Sequence, residues 1–77
     1  MEILLFAGLK EKVGSSRVSL DIDREISVEM LKSYIYEEYP ELDGEVFQVA
    51  SNESFVRDDY QVSDSDEIAL IPPVSGG

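Results

Sequence analysis

At 77 residues the chain has material for one small domain and none to spare for an elaborate enclosed active site. It contains neither cysteine nor histidine, which excludes a disulfide framework, the usual zinc ligands, the thiol nucleophile and the commonest general base. Six basic residues against 17 acidic ones give a net charge of -11, so nucleic acid and anionic membranes are excluded as partners and a basic protein surface is favoured. An apolar content of 43% argues for a packed core rather than an acidic disordered chain.

Met1 to Gly8 is short and apolar and ends at glycine, as a strand would, with Ile3, Leu5 and Ala7 on one face and Leu4 and Phe6 on the other. A turn-rich interval, Lys12 to Ser16, leads to the alternating run Val18 to Ile22, a half-buried strand that completes an antiparallel hairpin. Ser27 is placed to cap a helix, Glu29 suits the positive end of its dipole, and Ile26 is placed to staple against Leu31. Val28, Leu31, Ile35 and Tyr39 share one helical stripe, which Met30 and Tyr34 widen, and Pro40 disfavours helix at the residue before it, predicting a helix over about Val28 to Glu38. Tyr34, Tyr36 and Tyr39 are read as core-margin residues without a binding role.

An acidic loop, Glu41 to Glu45, precedes a third strand at Val46 to Ala50. Asn52 opens a turn into a short strand at Phe55 and Val56, and Asp58 to Glu67 is mostly loop. Ile68 to Ile71 is a last strand, stopped by two prolines that cannot donate to a sheet ladder. This order predicts an α+β fold: a mixed sheet with one main helix across one face, in a domain spanning residues 1-71.

Residues 72-77 read as an extended tail. Pro72 and Pro73 favour a stiff course away from the sheet, and Val74, Ser75, Gly76 and Gly77 narrow to a tip without side chains. Such a tip passes through a channel too narrow for other residues and delivers its α-carboxylate into another protein's active site. The plainer reading is a frayed chain end; the placement directly after a strand and two prolines favours the device.

The terminal run Ile68-Ala69-Leu70-Ile71-Pro72-Pro73-Val74-Ser75-Gly76-Gly77 resembles the signature of molybdopterin synthase small subunits, the MoaD family of sulfur carriers. The resemblance covers the whole chain, through Leu5 to Leu9, Ser27 to Leu31, Val49 to Asn52 and Asp64 to Glu67. It implies the ubiquitin-like β-grasp. One position departs: the family's usual Asp-Gly-Asp-Glu turn is Asp64-Ser65-Asp66-Glu67 here, and a positive φ at that point would strain Ser65.

The resemblance further implies that Gly77 is the working residue. Its carboxylate, with a pKa of roughly 3.5, is ionised at neutral pH and is a poor acyl donor until activated. An adenylating enzyme of the ubiquitin-activating type would join it to AMP from ATP, and a sulfur donor would displace AMP to leave a thiocarboxylate. The large catalytic subunit of the synthase would bind the charged tail in an assembly of two small and two large subunits. It would also supply the acid, base and anion-stabilising groups. No cofactor would be bound permanently, no metal site is expected, and the protein would be cytoplasmic.

Strand parity turns Phe6 and Ile71 away from the helix, and the resemblance adds Phe55 to the same apolar patch. These three are expected to bind the partner, the alternative being ordinary residues at a core margin. Asp58, Asp59, Asp64, Asp66 and Glu67 are read either as steering groups or as a solvated face. Three further functions compete with this one. They are a thiamin-pathway sulfur carrier, which the Pro-Pro-Val-Ser context disfavours, a ubiquitin-like modifier joined to lysines through Gly77, and an acidic binding module with an inert tail.

Overall fold

A computed structural model describes residues 1-73. The first strand, β1 (Glu2–Leu5), stops earlier than its apolar run suggests, because Ala7 takes a left-handed φ of 51° and turns the chain into a short helix, α1 (Ala7–Val13). This helix lies across what reads from sequence as a strand end and part of a turn. Leu9 anchors it, fully buried, and Val13 packs on the core one turn later. Gly14 ends it at φ 86°, with its N–H on the Lys10 carbonyl at 2.8 Å. That conformation strains a residue carrying a β-carbon, so glycine suits the stop.

The next strand, β2 (Arg17–Ser19), is shorter than the alternating run: Leu20 and Ile22 are buried but have left the ladder. Their carbonyls instead accept from the Met1 ammonium at 2.7 and 3.3 Å. A two-residue strand, β3 (Ile26–Ser27), leads directly into the long helix α2 (Val28–Glu38), whose bounds match the sequence expectation. Ser27 Oγ accepts from the Met30 N–H at 3.1 Å as its cap. The N–H groups of Val28 and Glu29 donate to the Tyr60 and Asp58 carbonyls, leaving the first turn well satisfied. Within the acidic loop that follows, Pro40–Leu42 forms a 3-10 turn that sinks Leu42 completely into the core.

Strands β4 (Gln48–Ser51) and β5 (Ser54–Val56) form a hairpin. Its two-residue connection, Asn52 and Glu53, has φ values of 52° and 72°, the left-handed pair that matches the twist of a tight hairpin. Strand β6 (Gln61–Val62) pairs with β3 inside a stretch that reads as loop, since two-residue strands carry no alternation to detect. The chain reaches β7 (Ile68–Ile71) and its two prolines as expected.

The main sheet has the order β2-β1-β7-β4-β5. Its central pair, β1 and β7, is parallel and every other pair antiparallel, so the sheet is mixed. Ile3, Leu5, Ile68 and Leu70 project from that centre into one core with Val28, Leu31 and Ile35 of α2, each of them at most 2% exposed. Burying each such side chain contributes about 1.5–3 kcal/mol. Among the described residues, the opposite face of the sheet leaves Phe6 and Phe55 exposed.

Candidate docking surface at the root of the tail

Because Ile68 and Leu70 of β7 point into the core, Ala69 and Ile71 point outward. Parallel pairing sets Leu4 of β1 opposite Ala69 and Leu5 opposite Leu70, so Phe6 and Ile71 follow at the same end of the sheet. Antiparallel pairing continues the outer row: Ala69 faces Ala50 of β4, and Ala50 faces Phe55 of β5. Four strands therefore present leucine, alanine, alanine and phenylalanine side by side. Two methyl groups between two large side chains make a trough.

Phe6 and Ile71 close the trough at one end and the carboxylates of Glu53 and Glu67 at the other, around a concavity of about 310 Å³. The structure thus brings Phe6, Phe55 and Ile71 together. Phe6 is 46% exposed and Phe55 64%, which is high for aromatic rings and leaves an uncovered apolar surface. Pro72, half-buried, and Pro73, exposed, leave the sheet from the Phe6 end. Val74, Ser75, Gly76 and Gly77 lie outside the described residues.

Acidic groups of the surface differ in whether they are partnered within the chain. Asp58 pairs with Lys32 at 2.8 Å, Asp64 with the Met1 ammonium at 3.1 Å and Glu2 with Arg17 at 3.1 Å. Asp66 accepts from the Ser63 N–H at 2.9 Å and from Asn52 Nδ2 at 3.2 Å, bonds that hold its carboxyl below the usual carboxylate range. Glu53 and Glu67, by contrast, have no ion-pair partner among the described residues.

Asn52 fixes the position of Glu67 relative to the hairpin. Its N–H donates to the Glu67 carbonyl at 2.8 Å, and its Oδ1 accepts from the Glu67 N–H at 3.0 Å. The Asp64 to Glu67 turn accommodates serine without strain: φ at Ser65 is not positive, and its hydroxyl lies 3.1 Å from that of Ser63.

Sequence reasoning set Leu4 on the face of Phe6 but missed the trough floor, Ala50 and Ala69, and the Glu53 carboxylate. Their proximity depends on strand register, which no local pattern encodes. Another hollow, of about 210 Å³, lies beside α2 between Arg24, Tyr34 and Glu38 and is lined largely by charged groups. Arg24 donates to the Tyr34 hydroxyl there at 3.0 Å. Among the described residues no helix is long and apolar enough to cross a membrane.

The mixed sheet β2-β1-β7-β4-β5 packed on α2 defines a ubiquitin-like β-grasp protein. The chain belongs to the ThiS family, which it matches over residues 3–77. It is 38% identical over 82 residues to the molybdopterin synthase sulfur carrier subunit of Dictyostelium discoideum, covering 99% of this chain and 94% of that one. The crystal structure of small archaeal modifier protein 1 from Haloferax volcanii superposes with a TM-score of 0.80 at 31% identity, over 95% of each chain. A complex of subunits 1 and 2 of the molybdopterin-converting factor of Helicobacter pylori contains a chain of the same fold, with a TM-score of 0.68 at 24% identity over 99% of this chain and 96% of that one.

Proposed function

We propose that the protein is the sulfur-carrier subunit of a molybdopterin synthase. The observation that carries this reading is the position of the apolar trough, which runs along β7 to Ile71, where the chain leaves the sheet toward Gly76 and Gly77. A partner seated on Phe6, Phe55 and Ile71 receives the tail at a fixed starting point, and the prolines direct it outward. Similarity to the Dictyostelium carrier subunit over nearly the whole chain supports the same reading.

The chemistry then runs through the main-chain carboxylate of Gly77. An adenylating enzyme of the ubiquitin-activating type forms the acyl-adenylate from ATP, releasing pyrophosphate. A sulfur donor attacks the acyl carbon, the C–O bond to AMP breaks, and a thiocarboxylate remains. Inside the large subunit this sulfur attacks a carbon of the cyclic pyranopterin monophosphate precursor, with binding supplying proximity and orientation. Water then cleaves the acyl–sulfur bond, leaving the sulfur on the precursor and restoring the Gly77 carboxylate. The dithiolene requires two sulfurs, so the carrier dissociates, is recharged and returns.

The large subunit contributes the side-chain acids and bases, because this chain holds no histidine or cysteine. The association in the Helicobacter pylori complex supports a large-subunit partner, and a complex of two small and two large subunits is the assembly proposed. The carrier itself keeps no bound cofactor in this scheme.

Intact-mass measurement after incubation with ATP, a sulfur source and the adenylating enzyme tests the mechanism. Replacement of one oxygen by one sulfur, lost when Gly77 is deleted, is the expected result; an unchanged mass with a verified active enzyme overturns it. Similarity to the Haloferax volcanii modifier supports a second reading, in which Gly77 is joined to substrate lysines through an amide. Lysine conjugates of this chain in cell extracts would identify that role.

A further inference from the structure

We propose that Glu53 and Glu67 form the ionic end of the docking surface and that the large subunit meets them with arginine or lysine side chains. This rests on the docking reading above and extends it from an apolar contact to an oriented one. Both carboxylates border the apolar trough, and neither has an ion-pair partner among the described residues, whereas Glu2, Asp58 and Asp64 are paired within the chain. A partner that fills the trough removes water from both groups. Covering a carboxylate without a counter-charge is strongly unfavourable, so an apolar partner surface alone would be rejected. A guanidinium group fits best, since it tolerates desolvation and donates two parallel hydrogen bonds.

Position gives the pair a second role. Glu67 precedes β7 and Ile71 ends it, so the acidic end lies about 13 Å along the sheet from the root of the tail. The surface is therefore asymmetric: carboxylates at one end, aromatic and aliphatic side chains between, the departing tail at the other. A partner matched to this pattern seats in one orientation, with the tail directed toward its active site. Glu53 and Glu67 do not drift apart, because the backbone of Glu67 is bonded twice to Asn52, the neighbour of Glu53.

The test compares association of the full chain with the purified large subunit, across a salt series, for the wild type, E53Q/E67Q and E37Q/E38Q. The last pair lies exposed on α2, on the other side of the sheet, and changes the net charge equally. The proposal expects E53Q/E67Q to weaken binding about tenfold at low salt and to flatten the salt dependence, with little change for E37Q/E38Q. Equal effects in both pairs, or wild-type binding by E53Q/E67Q, overturn it. Variant E53G relieves the left-handed strain at that position, so its expected loss of binding together with increased stability excludes misfolding as the cause. Failure of the wild type to bind the large subunit removes the docking reading itself, an outcome distinct from normal binding by the glutamine variants.

Discussion

Phe55→Ala and Leu70→Ala remove large apolar groups from opposite faces of one sheet and should separate docking from folding. Phe55 is 64% exposed, so only about a third of its surface is covered. For a ring that buries roughly 150–250 Å² when enclosed, at about 25 cal/mol per Å², the loss is about 1–2 kcal/mol. Leu70 is 0% exposed in the central strand, and its truncation costs about 2–5 kcal/mol. In a domain of this size each kcal/mol moves the thermal midpoint by about 4–8 °C. Binding should reverse the order: truncating an aromatic anchor at an interface centre costs about 2 kcal/mol, roughly 30-fold in Kd. Thermal unfolding with calorimetric titration against the large subunit measures both effects. Unfolding of Phe55→Ala at the Leu70→Ala midpoint, or an unchanged Kd, would refute the assignment of Phe55 to an uncovered surface used for docking.

Asn52→Ala should destabilise by about 2–3 kcal/mol, because it loses two side-chain hydrogen bonds and places alanine at φ 52°. Asn52→Gly should recover about 1 kcal/mol of this, and urea midpoints of the two variants isolate the backbone share. Ser51→Ala should leave stability unchanged or raise it by about 1 kcal/mol, since the buried Ser51 hydroxyl has no hydrogen-bond partner among the described residues; a clear loss in urea would show a missed contact. The Asp66 carboxyl is held below its ordinary pKa, so its stabilising effect is complete above that ordinary value and disappears as pH falls through the lowered one. Between about pH 6 and about pH 3 the urea midpoint of Asp66→Asn should fall less than that of the wild type, and equal losses would contradict the bonding around Asp66.

The parts of the fold legible in the sequence carry several local signals that agree. Helix α2 has a cap at Ser27, an apolar stripe and a following proline, and β7 has parity and two prolines that stop it. Helix α1 was hidden because Met1 to Gly8 satisfies a strand pattern; the pertinent signal was Leu9 and Val13 four residues apart, followed by Gly14. The β3-β6 pair is held by tertiary register and had no sequence period to reveal it. Within the candidate docking surface, parity turned Phe6 and Ile71 outward, and resemblance supplied Phe55. The alanine floor and Glu53 emerged only when four strands were placed in register.

The parallel pairing of β1 with β7 joins the beginning of the chain to its penultimate segment at the middle of the sheet. Until residues 68–71 have been synthesised, β1 and β4 have a gap between them instead of a shared neighbour, and the hydrophobic core lacks Ile68 and Leu70. Folding must wait for this long-range closure. The strand that completes the fold is also the one that bears the tail, so the docking trough forms only in chains translated as far as the root of the tail. Prematurely ended chains lack both the trough and the tail, the two features on which the proposed function rests.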